Sequence, residues 1–160
     1  MLALIENGQV TSSIIYDFVH DIIYHAERGK WAYENGQKIS VSERLLDRSY
    51  MSCEIKTKNE ENRDLLSFLD RKTILMHHIS AGYEYVLVAT GKIEGRIVYD
   101  GFGKDYDYAA WSLLVSEAGG AVKNFKSDTY SYANLNFIAS NQYVYNELVN
   151  VKDSIDKYMK

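Results

Sequence analysis

The chain has 160 residues, 46% of them hydrophobic and 25% charged, with a formal net charge of −4. That composition belongs to a globular chain of one domain's length, and its acidic balance excludes a strongly basic nucleic-acid footprint. The single Cys53 excludes an internal disulfide and fits a reducing cytoplasm. No apolar run reaches the roughly 18 residues that a membrane span needs, and Met1 leads directly into a strand-like segment.

Residues 1–45 read as an antiparallel meander. Asn7-Gly8 separates Leu2–Glu6 from Gln9–Tyr16, and Asn35-Gly36 separates Trp31–Glu34 from Gln37–Val41. Asn-Gly between apolar-rich segments marks a two-residue hairpin, because both central residues of a type I′ turn need positive φ. Val10–Tyr16 is expected to pair with Ile22–Ala26 across Asp17–Asp21. The result is a sheet of about four strands with one face against helices.

Residues 46–160 alternate strand and helix, and the whole of 1–160 reads as a single domain. Arg48–Ile55 is strand-like. Asn62, Leu65, Leu66 and Leu69 have helical spacing, which predicts a surface helix over 60–70. Ile74–His77 is a short strand. Ser80–Thr90 is apolar almost all round and reads as a buried helix, with Ser80 as N-cap and Gly91 as its stop. Gly95–Tyr99 is a strand, helix 107–118 follows, then Ala121–Phe125, a polar loop at 126–134 and strand Leu135–Ala139. Asn141 caps a last helix with Val144, Leu148, Val151 and Ile155 on one face. This pattern predicts an α/β layered fold: the meander, then a mixed or parallel sheet with helices packed on it.

Asp105–Gly120 carries the most chemistry. Trp111, Leu114, Val115 and Ala118 fall at i, i+3, i+4 and i+7, so the helix has an apolar face. Asp107 sits at the helix start, where orphan amides and the positive dipole end favour an anion; it is either a cap or a site carboxylate. In an extended segment Asp105 would point to the same side as Asp107 and offer a second ligand; a solvated loop charge is the alternative. Glu84 lies in a buried helix, so it pairs with a base such as Arg71 or points at the site. His77 and His78, adjacent on a strand, face opposite sides and do not share one ion. Gly91–Gly95 lacks phosphate-loop spacing and reads as a turn. Cys53 reads as a small core residue. Tyr99, Tyr106 and Tyr108 stack on a ring substrate or pack in the core.

Tyr106-Asp107-Tyr108-Ala109-Ala110-Trp111, followed by Glu117-Ala118-Gly119-Gly120, resembles a signature of the inositol monophosphatase family: Trp-Asp-x-Ala-Ala-Gly, an apolar helix, then Glu-Ala-Gly-Gly. Tyr106 stands for the Trp and Trp111 for the Gly. Leu87–Gly91, Ala26–Lys30, Asn35-Gly36 and Phe137–Asn141 are similar to further family segments, so the likeness runs from residue 1 to about residue 150. It implies the C-terminal part of that family's layered sandwich. It also implies a magnesium-dependent phosphomonoesterase acting on a small phosphorylated alcohol. Asp107 is then the distal metal ligand. Ser80-Ala81-Gly82 resembles a turn whose backbone touches substrate hydroxyls, with Ile79 where the family has Gly. Asp100 is nearest to the substrate-selecting acid, and Glu84 is a further substrate-side candidate. The family's Asp-Pro-x-Asp-Gly-Thr metal loop has no counterpart, since the chain contains no proline. The resemblance therefore implies a portion without the N-terminal helices and metal loop, inactive alone; the alternative is a non-catalytic interaction protein that keeps the fold. Loss of those helices would bare one face of the meander and favour a homodimer.

Overall fold

The computed structural model describes residues 1–77, 80, 82–149 and 155. Its first sheet comprises β1 (Leu2–Glu6), β2 (Gln9–Asp17), β3 (Ile22–Glu27), β4 (Ala32–Glu34) and β5 (Gln37–Lys38), antiparallel and in chain order. The meander thus has five strands rather than four. Both Asn-Gly turns close as their residues dictate: φ is 51° and 75° at Asn7 and Gly8, and 47° and 79° at Asn35 and Gly36.

The second sheet holds β6 (Tyr50–Ile55), β7 (Ile74–His77), β8 (Gly95–Tyr99), β9 (Ala121–Asn124) and β10 (Phe137–Ser140), in the order β7-β6-β8-β10-β9. It is mixed. β6 runs parallel to β7 and β8, and β10 runs antiparallel to β8 and β9. Four helices accompany it: α1 (Glu60–Asp70), α2 (Tyr83–Ala89), α3 (Asp105–Glu117) and α4 (Gln142–Val149).

Two cores define the layers. Val10, Ile15, Tyr24 and Ala26 of the first sheet meet Tyr85 and Val86 of α2, Trp111 and Leu114 of α3, and Val98 and Phe137 of the second sheet. The opposite face of the second sheet, with Met51, Cys53, Ile97 and Ile138, packs on Leu65, Phe68 and Leu69 of α1 and Val144 and Leu148 of α4. The order is sheet, helix pair, sheet, helix pair. Because α3 lies between two sheets, it is buried at every position from Tyr108 to Val115, not along the single face formed by Trp111, Leu114, Val115 and Ala118.

Several element ends differ from the sequence expectation for local reasons. α2 begins at Tyr83 with Gly82 as its cap, so Ser80 lies outside it. α3 begins at Asp105, two residues early. Arg48 belongs to a 3₁₀ turn, Leu46–Arg48, and β6 starts after it. Leu135 and Asn136 stay out of β10, where the Asn136 amide donates to the Asn134 side chain at 3.0 Å. Ile155 is buried as expected for the last helix, while Val151 lies outside the described residues.

The outer face of the first sheet is apolar and open. Leu2, Leu4, Ile14, Tyr16 and Ile23 are all exposed there, and Leu2 pairs across with Ile14, Tyr16 with Ile23.

Candidate functional site

The loop from β8 into α3 carries the site. Asp107, in the first turn of α3, is half-buried, and its Oδ2 accepts the Lys104 amide at 2.8 Å. It therefore acts as a cap; its Oδ1 has no partner among the described residues. Asp105 is helical, not extended. Two residues on a helix are roughly 200° apart, so Asp105 faces away from Asp107, exposed, with Oδ1 accepting the Tyr106 amide at 2.9 Å.

Asp100 follows β8 directly, in the left-handed region at φ 47°. The Asn136 side chain accepts its amide at 2.8 Å. Its carboxylate pairs with Lys56 at 3.1 Å and accepts from Asn62 Nδ2 at 3.3 Å. These groups, with Phe102 and Lys104, line an open groove of about 520 Å³ beside the Asp107 loop.

Glu84 is buried, and its partner base is Arg96 on β8, not Arg71. Its Oε2 also accepts from Ser52 Oγ at 2.5 Å, and Oε1 accepts the Ser80 amide at 3.3 Å. Ala81 lies outside the described residues. Arg96, wholly buried, pairs on its other side with Glu54 of β6 at 2.5 Å. Glu54 Oε1 then accepts the Phe102 amide at 2.7 Å, the Gly103 amide at 3.1 Å and the Tyr108 hydroxyl at 2.8 Å. A continuous polar path, buried at Glu84, Arg96 and Glu54, thus runs from Ser80 to the loop that presents Asp100 and Asp107.

Burial works against the Glu54 carboxylate, yet the Phe102 amide, the Tyr108 hydroxyl, Arg96 and the Gly103 amide together hold it below the usual range. Burial lowers Arg96, against the pull of Glu54. Burial first, then the bond to Glu54, raises Tyr108. Sequence reading missed Glu54 and Arg96. A lone acid in Tyr50–Ile55 and a lone base in Gly95–Tyr99, both otherwise apolar or small, were the available signal, because buried charges persist only when paired.

Trp111, where the signature has Gly, is accommodated by Gly82: a Cβ there would lie 2.6 Å from the indole Cε2. The ring stacks on Tyr85 with centroids 6.4 Å apart. Tyr108 is core, while Tyr106 is exposed and Tyr99 meets Phe125 edge to face at 5.9 Å. Cys53 is a buried core thiol pushed up to about 11 by burial. His77 ends β7, and His78 lies outside the described residues.

Among the described residues no three His, Cys, Asp or Glu side chains gather as a metal site. Magnesium demands near-octahedral oxygen ligation, and Asp107 supplies one carboxylate, so these residues alone do not fit the ion. Among them, too, no helix is long and apolar enough to cross a membrane.

The chain is similar to known proteins. The chain is 28% identical over 136 residues to an inositol-1-monophosphatase of Bacillus subtilis, covering 82% of this chain and 51% of that protein. It is 30% identical over 131 residues to the Nus factor SuhB of Xylella fastidiosa, covering 78% and 47% respectively. The extragenic suppressor protein suhB of Bartonella henselae superposes with a TM-score of 0.82 at 23% identity, over 99% of this chain and 59% of that one, which shows the shared fold. The chain spans about half the length of the curated relatives it matches. The profile of the Inositol monophosphatase family matches residues 1–154, and the chain belongs to that family.

Proposed function

We propose that this chain forms the substrate-holding part of a phosphomonoesterase that acts on a small phosphorylated alcohol. The observation that carries the reading is the placement of Asp107: a half-buried carboxylate at a helix N-terminus, one oxygen without a partner among the described residues, beside the groove lined by Asp100 and Lys104. Asp107 is the proposed metal-facing ligand. Asp100 accepts from a substrate hydroxyl, and the segment carrying Ser80 and Ala81 borders the substrate. Glu84 positions that segment through the Ser80 amide and does not itself touch substrate, because Arg96 and Ser52 occupy its carboxylate. Since the described residues do not hold magnesium, the chain alone is expected to show no magnesium-dependent turnover. The test is phosphate release from inositol monophosphate with and without Mg²⁺. Turnover that rises with Mg²⁺ and vanishes in Asp107→Asn would overturn inactivity while supporting the site; turnover indifferent to Asp107 would remove the site itself.

The open apolar face of the first sheet favours a second reading, an interaction role, and the Xylella relative is named for a factor rather than for a phosphatase. We propose that the partner on that face is a second copy of this chain, making a homodimer in a reducing, cytoplasmic compartment. Two-fold dimers are the commonest soluble assemblies.

A further inference from the structure

A second cavity of about 310 Å³ opens where the β1–β2 turn, the later turns of α3 and the segment after β9 meet. Its wall includes Ser112, Leu113 and Ser116, five to nine residues along α3 from Asp107, or about 8 to 14 Å at 1.5 Å per residue. No part of the site described above reaches it.

The wall is built for an oxyanion. Arg28 is anchored there by its Nε, which donates to the Val10 carbonyl at 2.9 Å, and neither terminal nitrogen of its guanidinium has a partner among the described residues. Lys123 stands in the same wall, tethered to the Asp128 carbonyl. Tyr130 is fixed by edge-to-face packing on Phe137, centroids 5.4 Å apart, and among the described residues its buried hydroxyl, beside Ser112, makes no hydrogen bond of good geometry. The neighbouring Ser112 hydroxyl is committed as a donor to the Ala109 carbonyl at 2.8 Å. A buried hydroxyl left unpaired is costly, and a ligand oxygen would satisfy it. Ser116 and Thr129 add hydroxyls to the wall. With Asp128 counted, the wall keeps a net charge of +1 within a chain of net −4.

We infer that this cavity is a binding site for a small phosphate-bearing molecule, separate from the Asp107 site. Phosphate fits better than a planar carboxylate. The guanidinium fork, a lysine point charge and hydroxyls on several sides match a tetrahedral oxyanion, and a cavity near 300 Å³ is at the lower end of small-molecule sites. Asp128 sets the selectivity, since it lines the same cavity and its negative charge disfavours more highly charged ligands.

Calorimetric titration of the chain with inorganic phosphate and with glycerol phosphate, in magnesium-free buffer with acetate as the control, tests this. Phosphate and the monoester should bind, acetate should bind more weakly, and affinity should fall as salt rises. Arg28→Gln should weaken phosphate binding by at least about ten-fold, the scale of a charged hydrogen bond. Tyr130→Phe, which removes only that buried hydroxyl and should leave the fold intact, should weaken it several-fold. Asp128→Asn should tighten it, and Asp107→Asn should leave it unchanged. Should Arg28→Gln fail to fold, Tyr130→Phe and Asp128→Asn still decide. Phosphate binding no stronger than acetate overturns the inference, as does binding indifferent to both Tyr130 and Asp128, or binding lost in Asp107→Asn. An affinity for the monoester above that for free phosphate would identify the ligand as an organic phosphate, and the reverse order would identify phosphate itself.

Discussion

The sheet of β6–β10 is covered on both faces, by α2 and α3 on one side and by α1 and α4 on the other; the sheet of β1–β5 is covered on one. The strands record the difference. β8 and β10 are buried along nearly their whole length, whereas β2 alternates between buried Ile15 and exposed Ile14 and Tyr16. In the doubly covered sheet a charge can persist only with partners, and Glu54, Glu84 and Arg96 supply one another. In the half-covered sheet apolar residues stand where solvent would favour polar ones, so the face is shaped for a cover. Removing a partner should therefore be severe in one sheet and mild in the other.

The largest effect is expected at Arg96. Arg96→Met leaves Glu54 and Glu84 buried without their base, which typically costs about 3–5 kcal/mol. Urea unfolding followed by circular dichroism would show it; a loss below about 1 kcal/mol, the range of an exposed ion pair, would mean that the network is not desolvated in solution. Acid probes the same network. The folded chain holds Glu54 below the ordinary carboxyl value, so the unfolded chain binds more protons in this region. The Glu54 contribution is fully present above the unfolded value of about 4.3 and is lost as pH falls through the lower folded value. Thermal midpoints should drop across that acidic window in the native chain and drop less steeply in Glu54→Gln. Parallel curves would show that Glu54 does not set the acid response.

An intermediate effect is expected where the helix pair meets. Gly82→Ala drives a Cβ against the Trp111 indole, 2.6 Å from Cε2, and overpacking of this kind costs about 1–3 kcal/mol. Trp111→Leu opens space at the same contact. The double variant should be more stable than the two single changes sum to, because they share one contact. Strict additivity would separate Gly82 from Trp111.

Local chemistry made much of this legible in the sequence. Asn-Gly announced both hairpins because so few residue pairs accept two positive φ values, and α1, β7 and β8 followed from spacing and flanking turns. Asp107 was readable as a helix-start carboxylate. What escaped depends on neighbours distant in the chain. The all-round burial of α3 arises because two sheets enclose it, and no periodicity of one helix encodes a second sheet. Glu54 and Arg96 meet because β6 runs parallel to β8 with Ser52 opposite Arg96, a register that spacing along the chain does not contain. Gly82 carries no side chain where the Trp111 indole fills the space, a contact made across two helices that spacing within one helix does not contain.

The smallest change in the stability of one copy, and the largest in assembly, is expected on the open sheet. Leu4 is 48% exposed on edge strand β1, and Ile14 is 48% exposed on the adjacent strand. Exposed substitutions of this kind shift folding stability by about 0.5 kcal/mol or less. Yet β1 offers an unpaired edge whose five residues include only one charge, Glu6, and edges of that kind invite pairing with another chain. A second copy laid over this face beside the edge would cover Leu2, Leu4 and Ile14, and a two-fold arrangement does so for both copies alike. Sedimentation at micromolar concentration should therefore give twice the 18.4 kDa of one chain. Leu4→Lys or Ile14→Lys should return the monomer with its unfolding midpoint in urea nearly unchanged. A native chain that sediments as a monomer and binds no apolar dye would show that the face needs no cover. A dimer that survives both lysines would place the second copy elsewhere on the molecule.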